Sequence, residues 1–261
     1  MGIAIVAGAS PSLAARLGLG MLGIQFAIGS INDVADIVPD SIGKPTKPIP
    51  SGFVRRGAAL AIAIVSAALG CAAAASVGAG ALALAVAGLA DGMIYDLRLK
   101  RSPLAWAPFA AGVGLLPVYA WWGARGSLPV ALVAVAGVAV VAGAALALAN
   151  AYADVEADTR AGIQSVATLL GPSRTLFVNG LLVAAVDAVA VTATLAVGAA
   201  PTVLLALAAG CALALGGLSL AAGKGDRWRP LLWEVQAAGF ALAGGAWLAA
   251  LVSAGVLGGQ V

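Results

Sequence analysis

Long apolar runs separated by short polar segments dominate the chain. Eight runs approach or exceed the roughly 20 residues that a helix needs to cross a hydrocarbon core about 30 Å thick. They cover residues 11–31, 57–76, 78–95, 104–122, 129–152, 174–197, 200–222 and 232–254. A shorter apolar piece at residues 2–8 cannot span. Because backbone within lipid must satisfy its polar groups internally, the pattern predicts eight transmembrane helices.

The composition agrees with a membrane protein. Hydrophobic residues make up 62% of the 261 residues and charged residues only 10%, against about 25% charged residues in a soluble domain. The chain has no histidine, which excludes imidazole acid–base chemistry and histidine-ligated metal sites. We therefore predict an all-α polytopic membrane helix bundle that forms a single domain over residues 1–261.

The basic residues follow alternate loops. Twelve of the fourteen lie in the loops after the first, third, fifth and seventh runs, and the other loops are nearly uncharged. Loops rich in lysine and arginine face the cytoplasm in membrane proteins. Tryptophans support two interfaces: Trp121 and Trp122 at one, and Trp106, Trp228 and Trp233 at the other. This arrangement predicts an integral protein of a prokaryotic-type cell membrane, with the basic loops in the cytoplasm.

The acids lie on the same side as the basic residues. Ten of the eleven are in or beside the basic loops, although acids contribute little to membrane topology. The exception is Asp187, in the middle of an apolar run. An ionisable group at this depth is a functional candidate, with a protonated or hydrogen-bonded structural role as the alternative.

Two acidic motifs share one spacing. Each places an asparagine and two aspartates at i, i+4 and i+8: Asn32, Asp36 and Asp40 in NDVADIVPD, and Asn150, Asp154 and Asp158 in NAYADVEAD. On a helix these positions share a face, where like charges four residues apart repel. A cation between the two motifs would remove that repulsion.

Oxygen ligands without cysteine or histidine select a hard cation, Mg²⁺ or Mn²⁺. Mg²⁺ commonly binds through one or two carboxylates together with substrate phosphate oxygens. Basic residues follow the motifs closely: Lys44, Lys47, Arg98, Lys100, Arg101 and Arg160. The combination indicates a metal-bridged diphosphate. Solvated helix ends flanked by topology-determining cations are the alternative interpretation.

Three segments resemble the UbiA superfamily of intramembrane prenyltransferases. They are NDVADIVPD followed by KPTKPIPSG, YDLRLKRSPLAWAPF, and NAYADVEADTRAGIQSVATLLG, and the resemblance covers nearly the whole chain. It implies a bundle of nine helices around a central cavity open to lipid. Only 31 residues precede the first motif, so we expect eight full helices and a truncated first helix.

The resemblance also implies roles for individual residues. The six motif residues would bind Mg²⁺, or Mn²⁺, and the diphosphate of an isoprenyl donor, with Asp36 and Asp154 as the catalytic acids. Lys47, Tyr95 and Lys100 would hold the diphosphate, and we add Arg101 and Arg160 as further diphosphate ligands. Departure of pyrophosphate would leave an allylic cation for a lipophilic or aromatic acceptor, as in quinone biosynthesis. No nucleic-acid partner is expected.

Two other functions stay open at this point. A UbiA-type terpene cyclase would use the same ionisation but capture the cation with its own chain. An ion or solute transporter would spread its acids through the membrane depth.

Two residues depart from the family pattern. Pro39 lies inside the first motif, so Asp40 either leaves the acidic face or reaches the metal from a loop. Asp96 adjoins Tyr95 in the diphosphate loop, where it could pair with Arg98 or Lys100.

Overall fold

In a computed structural model that describes residues 1–223, 229 and 231–257, every regular element is a helix. The helices are α1 (Gly2–Val6), α2 (Pro11–Ala35), α3 (Ile37–Gly43), α4 (Arg56–Ala75), α5 (Ala79–Ile94), α6 (Trp106–Arg125), α7 (Val130–Ala161), α8 (Val166–Leu170), α9 (Pro172–Ala196), α10 (Pro201–Gly223) and α11 (Leu231–Ser253). A π-helical turn, Tyr95–Leu99, continues α5. The loop residues Lys224, Asp226, Arg227 and Trp228 lie outside the described residues.

Each of the eight predicted runs forms a helix, but one of them is less apolar than expected. Within the described ranges, seven helices are long and apolar enough to cross a membrane: α2, α4, α5 with its π turn, α7, α9, α10 and α11. Helix α6 has 20 residues, but its tryptophans, tyrosine, prolines and glycines lower its hydropathy. By length and composition the predicted count of eight is therefore one too high.

Glycines allow the closest helix crossings. A Cβ atom on Gly23 of α2 would lie 2.7 Å from the Cα of Gly70 on α4. A Cβ on Gly239 of α11 would lie 2.7 Å from the carbonyl oxygen of Gly210 on α10. Small residues at such crossings are typical of helix association in lipid, where close packing replaces the hydrophobic driving force.

The bundle directs small side chains inward and large apolar ones outward. Ala14, Ala74 and Ala145 are fully buried, whereas Phe26 and Ile64 are 57% and 69% exposed. An apolar exterior of this kind requires lipid around it. The chain is an integral membrane protein.

The two acidic motifs lie on differently built helices. Helix α2 ends at Ala35, and α3 begins at Ile37, with Asp36 between them and Pro39 in its first turn. The backbone N–H of Asp40 still donates to the carbonyl of Asp36 at 2.8 Å, so the helical spacing continues across the break. Asp40 therefore stays one turn beyond Asp36 and does not move into a loop. The second motif lies on the uninterrupted helix α7.

Candidate functional site

A cavity of about 970 Å³ lies at the end of the bundle that carries both acidic motifs. Its wall is formed by α2, α3, the π turn, α6, α7, α8 and α11, together with loop residues between them. All eleven predicted site residues line it: Asn32, Asp36, Asp40, Lys47, Tyr95, Lys100, Arg101, Asn150, Asp154, Asp158 and Arg160. The structure thus brings these eleven residues together, while their binding roles stay predictions; Arg98, named beside them in the sequence, does not line the cavity.

Asp36 is the most heavily neutralised acid of the cavity. Lys100 Nζ donates to Asp36 Oδ2 and also to Asn32 Oδ1, the latter at 3.1 Å. Arg101 Nη2 lies 3.1 Å from Asp36 Oδ1. The Asp36 residue is only 8% exposed, so two cations surround a nearly buried carboxylate. Hydrogen bonds in which the donor and the acceptor are both ionic groups are among the strongest in proteins.

Asp40 is held by Lys47 from the loop after α3. Lys47 Nζ lies 2.7 Å from Asp40 Oδ2 and 3.1 Å from Asp33 Oδ1. Burial lowers the pKa of Lys47, but the hydrogen bonds to Asp40 and Asp33 outweigh burial, so the pKa is raised overall. Lys47 is therefore a firmly protonated cation at the cavity wall.

The second motif is far more open than the first. Asp154 has only a 3.9 Å contact with Lys44, and these side chains are 52% and 57% exposed, a geometry that contributes little. Among the described residues, the side chains of Asn150 and Asp158 have no hydrogen-bond or ion-pair partner. Burial, and then the charge of Asp154, raise the pKa of Asp158. The oxygens of this motif are thus available to a ligand.

Asp96 pairs differently from either sequence-based alternative. The π-helical turn directs Asp96 toward α2, where Asn32 Nδ2 donates to Asp96 Oδ1 at 2.6 Å. Neither Arg98 nor Lys100 forms an ion pair with it in the described part of the chain. Asp96 therefore orients the amide of Asn32, a role that the residue spacing does not indicate.

The aromatic part of the wall also escaped the sequence interpretation. The rings of Tyr95 and Phe109 pack edge to face, with centroids 6.3 Å apart. Trp106 and Trp233 line the same cavity. Trp106 and Phe109 both belong to the segment PLAWAPF, which directly follows the predicted diphosphate loop. That position is the sequence signal that could have identified them as cavity residues.

Glu156 lies within the second motif but has a separate partner. It accepts a hydrogen bond from Arg229 at 2.7 Å, and the Arg229 guanidinium carbon lies 5.1 Å from the centre of the Tyr152 ring. These contacts link the end of α7 to the segment before α11. Glu156 is not part of the cavity lining.

The donor set fits a hard divalent ion shared with a phosphate ligand. The described residues contain no group of three acids or cysteines close enough to form a ready-made metal cage. Mg²⁺ usually binds through one or two carboxylates plus substrate phosphates, so a full protein cage is not required. The open carboxylates on α7 line the same cavity as the lysine and arginine side chains that pair with the first motif, an arrangement that suits such a shared site.

The family comparison and the structural comparison agree. The model of the UbiA prenyltransferase family matches residues 1–232. A UbiA homologue from Aeropyrum pernix K1 has a similar structure, with a TM-score of 0.74 at 20% identity over 92% of this chain and 93% of that chain. A search of curated proteins found no match.

Two further solved structures share the fold. A UbiA homologue from Archaeoglobus fulgidus, bound to DMAPP and Mg²⁺, has a TM-score of 0.66 at 20% identity over 93% of each chain. A digeranylgeranylglyceryl phosphate synthase has a TM-score of 0.61 at 15% identity over 97% of each chain. The similarity extends over almost the full length of each protein.

Proposed function

The chain belongs to the UbiA prenyltransferase family, and we propose that it transfers a prenyl group from an isoprenyl diphosphate to an electron-rich, aromatic acceptor with the help of Mg²⁺. One observation carries the proposal. Eleven residues selected from three separate segments, acids and cations among them, line a single cavity of about 970 Å³.

The residues that would hold the metal are the motif acids and amides. Asn150, Asp154 and Asp158 offer open oxygens, and Asp36 and Asp40 of the first motif line the same cavity. The Archaeoglobus fulgidus homologue, solved with DMAPP and Mg²⁺, supports this choice of ion and donor. Bound Mg²⁺ would supply charge neutralisation for the departing pyrophosphate.

The cations would hold the donor diphosphate by exchanging partners. Lys100, Arg101 and Lys47 now neutralise acids of the first motif. A diphosphate in the cavity offers the same cations phosphate oxygens, while the released acids become available to the metal. Lysine and arginine placed at the leaving group stabilise the charge that develops there as the C–O bond breaks.

The apolar part of the wall would protect the allylic cation. Trp106, Phe109 and Trp233 line the cavity beside the polar groups, with Ala147 and Ala151 from α7. An apolar lining excludes water, which would otherwise capture the cation. Aromatic faces also attract positive charge.

We further propose that the site opens toward the cytoplasm. The loops that carry the two acidic motifs belong to the set of alternate loops in which, by sequence, twelve of the fourteen basic residues lie, and basic loops remain cytoplasmic. A cysteine introduced at Ile42, which is 84% exposed, should react with an impermeant maleimide only in inverted vesicles. Reaction in intact cells would contradict this orientation.

The test of the proposed function is prenyl transfer by the protein in nanodiscs. Geranyl diphosphate and Mg²⁺ are supplied with 4-hydroxybenzoate, other phenols or a glycerol phosphate lipid. Asp36→Asn and Asp154→Asn should each lower turnover by about 100-fold or more. Glu156→Gln, an acid of the same helix outside the cavity, should remain active. A cyclic hydrocarbon formed without acceptor, or full activity in both Asn variants, would overturn the proposal.

A further inference from the structure

A second groove, of about 320 Å³, lies between α2, α5 and α6. It meets the main cavity at Asn32, Tyr95 and Phe109, which line both. Along α2 it extends from Asn32 to Met21, eleven positions by subtraction of the residue numbers, or about 16 Å of helix rise. We call it the side groove. It runs from the diphosphate site into the membrane-spanning part of the bundle.

Asp91 places a carboxylate in the side groove. It lies on α5, one turn before Tyr95, and within the membrane-spanning stretch Ala79–Leu99. It has no hydrogen-bond or ion-pair partner among the described residues. A Cβ atom on Gly112 of α6 would lie 3.1 Å from Asp91 Oδ2, so the carboxylate lies directly over a residue without a side chain. An unpaired acid at membrane depth is costly and is therefore a functional candidate.

Gln25 adds a second polar group from the opposite wall. This α2 residue lines the groove, and its amide nitrogen contacts only the sulfur of Met21, at 3.8 Å. Its carbonyl oxygen has no partner among the described residues. A polar group left unpaired in an apolar setting loses stability that a hydrogen-bonding ligand would restore. Two such groups across one groove therefore indicate a ligand with a polar group of its own.

From this geometry we infer that the side groove binds the acceptor substrate, and that the acceptor carries a hydroxyl group that donates to Asp91. Gln25 would bind the same polar end of the acceptor from α2. The inference rests on the proposed function, because it takes the donor to occupy the main cavity. It adds the acceptor site and one chemical requirement of the acceptor.

The position of Asp91 also gives it a part in the reaction. The bond between the donor carbon and the diphosphate oxygen breaks, and its electron pair leaves with pyrophosphate. The acceptor forms the new bond to that carbon through its hydroxyl oxygen or, in a phenol, through a ring carbon activated by that oxygen. In both cases the hydroxyl proton passes to the Asp91 carboxylate. A phenol alkylated on carbon then passes its ring proton to the released pyrophosphate and takes the hydroxyl proton back from Asp91, which restores the aromatic ring and the Asp91 carboxylate.

The main competing occupant is the hydrocarbon tail of the donor. A tail would fill the apolar length of the groove but would leave Asp91 and Gln25 without partners. The two occupants differ in what a change at Asp91 should alter. An acceptor site predicts changes in acceptor turnover, whereas a tail site predicts changes in donor chain-length preference.

The first test is Asp91→Asn in nanodiscs, with geranyl diphosphate, Mg²⁺ and the same hydroxyl acceptors. Donor affinity should stay within about twofold, while acceptor turnover should fall by about 100-fold, as expected for loss of a positioned base. Glu156→Gln is the control, because Glu156 is a carboxylate that lines neither cavity. Gly112→Ala should raise the acceptor KM by displacing the carboxylate. Gly137→Ala, where a Cβ meets no atom within 4 Å, should not.

The second test does not depend on turnover. Binding of 2-naphthol and of its methyl ether, 2-methoxynaphthalene, is compared in wild-type protein and Asp91→Asn. Wild type should prefer the naphthol about tenfold, and the variant should lose the preference. Equal binding of the two probes by wild type, or an Asp91→Asn variant that alters only donor chain-length preference, would overturn the inference. Failure of the wild type to bind geranyl diphosphate with Mg²⁺ would instead refute the proposed function.

Discussion

Replacing Lys100 with methionine should separate its two roles. The variant keeps the length of the side chain but removes the charge that Lys100 shares between Asp36 and Asn32. With donor bound, that charge would act on the departing pyrophosphate. Loss of one such positioned group typically costs about 2.7–4 kcal/mol of transition-state stabilisation, or a factor of about 100 to 1,000 in kcat.

The effect on stability should be smaller than the effect on turnover. A hydrogen bond to a charged group contributes about 1.5–3 kcal/mol. Asp36 retains Arg101 at 3.1 Å, and the Lys100 side chain is 27% exposed, so we expect a loss of about 1–2 kcal/mol. The thermal transition in nanodiscs should therefore fall only modestly.

The assay measures kcat and KM for geranyl diphosphate with saturating Mg²⁺ and acceptor. Arg98→Met is the matched control, since Arg98 is an exposed cation of the same segment and does not line the cavity. Lys100→Arg should recover part of the lost turnover by restoring the charge. Turnover by Lys100→Met within about threefold of wild type would refute the assignment of Lys100 to the leaving group.

Three further predictions concern other parts of the bundle. Arg229→Met removes an ion pair and an aromatic contact, which should lower the stability of the apo protein by about 1 kcal/mol in thermal unfolding and leave donor affinity intact. Gly239→Ala places a Cβ 2.5 Å from the backbone nitrogen of Ala214 and should destabilise the protein by about 1–3 kcal/mol, whereas Gly244→Ala meets no atom within 4 Å and should be neutral. Mn²⁺ binding needs the ionised carboxylate of Asp158, and the pKa of this carboxyl is raised. Mn²⁺ binding should therefore weaken as the pH falls, and the loss should begin at a pH above the usual range of aspartate pKa values. Over the same interval the apo protein should become more stable, since its folded state favours the protonated acid, and Asp158→Asn should flatten both profiles in Mn²⁺ titrations and thermal unfolding. Stronger Mn²⁺ binding at lower pH would contradict that prediction.

The helices and the motif acids were predictable because they depend on local pattern. Apolar runs of membrane length predict helices wherever they occur, and the repeated spacing of Asp36 and Asp154 predicts two acidic faces. Helix α6 shows the limit of this reasoning. It forms a helix of the predicted length, but its own tryptophans, tyrosine, prolines and glycines make it less apolar than the other predicted transmembrane helices.

The contacts between segments were not predictable in the same way. The π turn after α5 directs Asp96 to Asn32, and no spacing rule distinguishes a π turn from a continued α-helix. The break at Pro39 was expected to endanger Asp40, yet the backbone hydrogen bond to Asp36 preserves its position. The imbalance between a neutralised first motif and an open second motif also depends on where Lys47 and Lys100 reach in three dimensions.

The central claim is that the two acidic motifs act together on one diphosphate through a shared metal. Its most direct test is Mg²⁺-dependent binding of geranyl diphosphate to wild type, Asp36→Asn, Asp154→Asn and the double variant. We expect binding to need Mg²⁺ and each single change to weaken it strongly, and we expect the double variant to lose far less binding free energy than the sum of the two single losses. Binding that is independent of divalent ions, or single losses that simply add in the double variant, would contradict it.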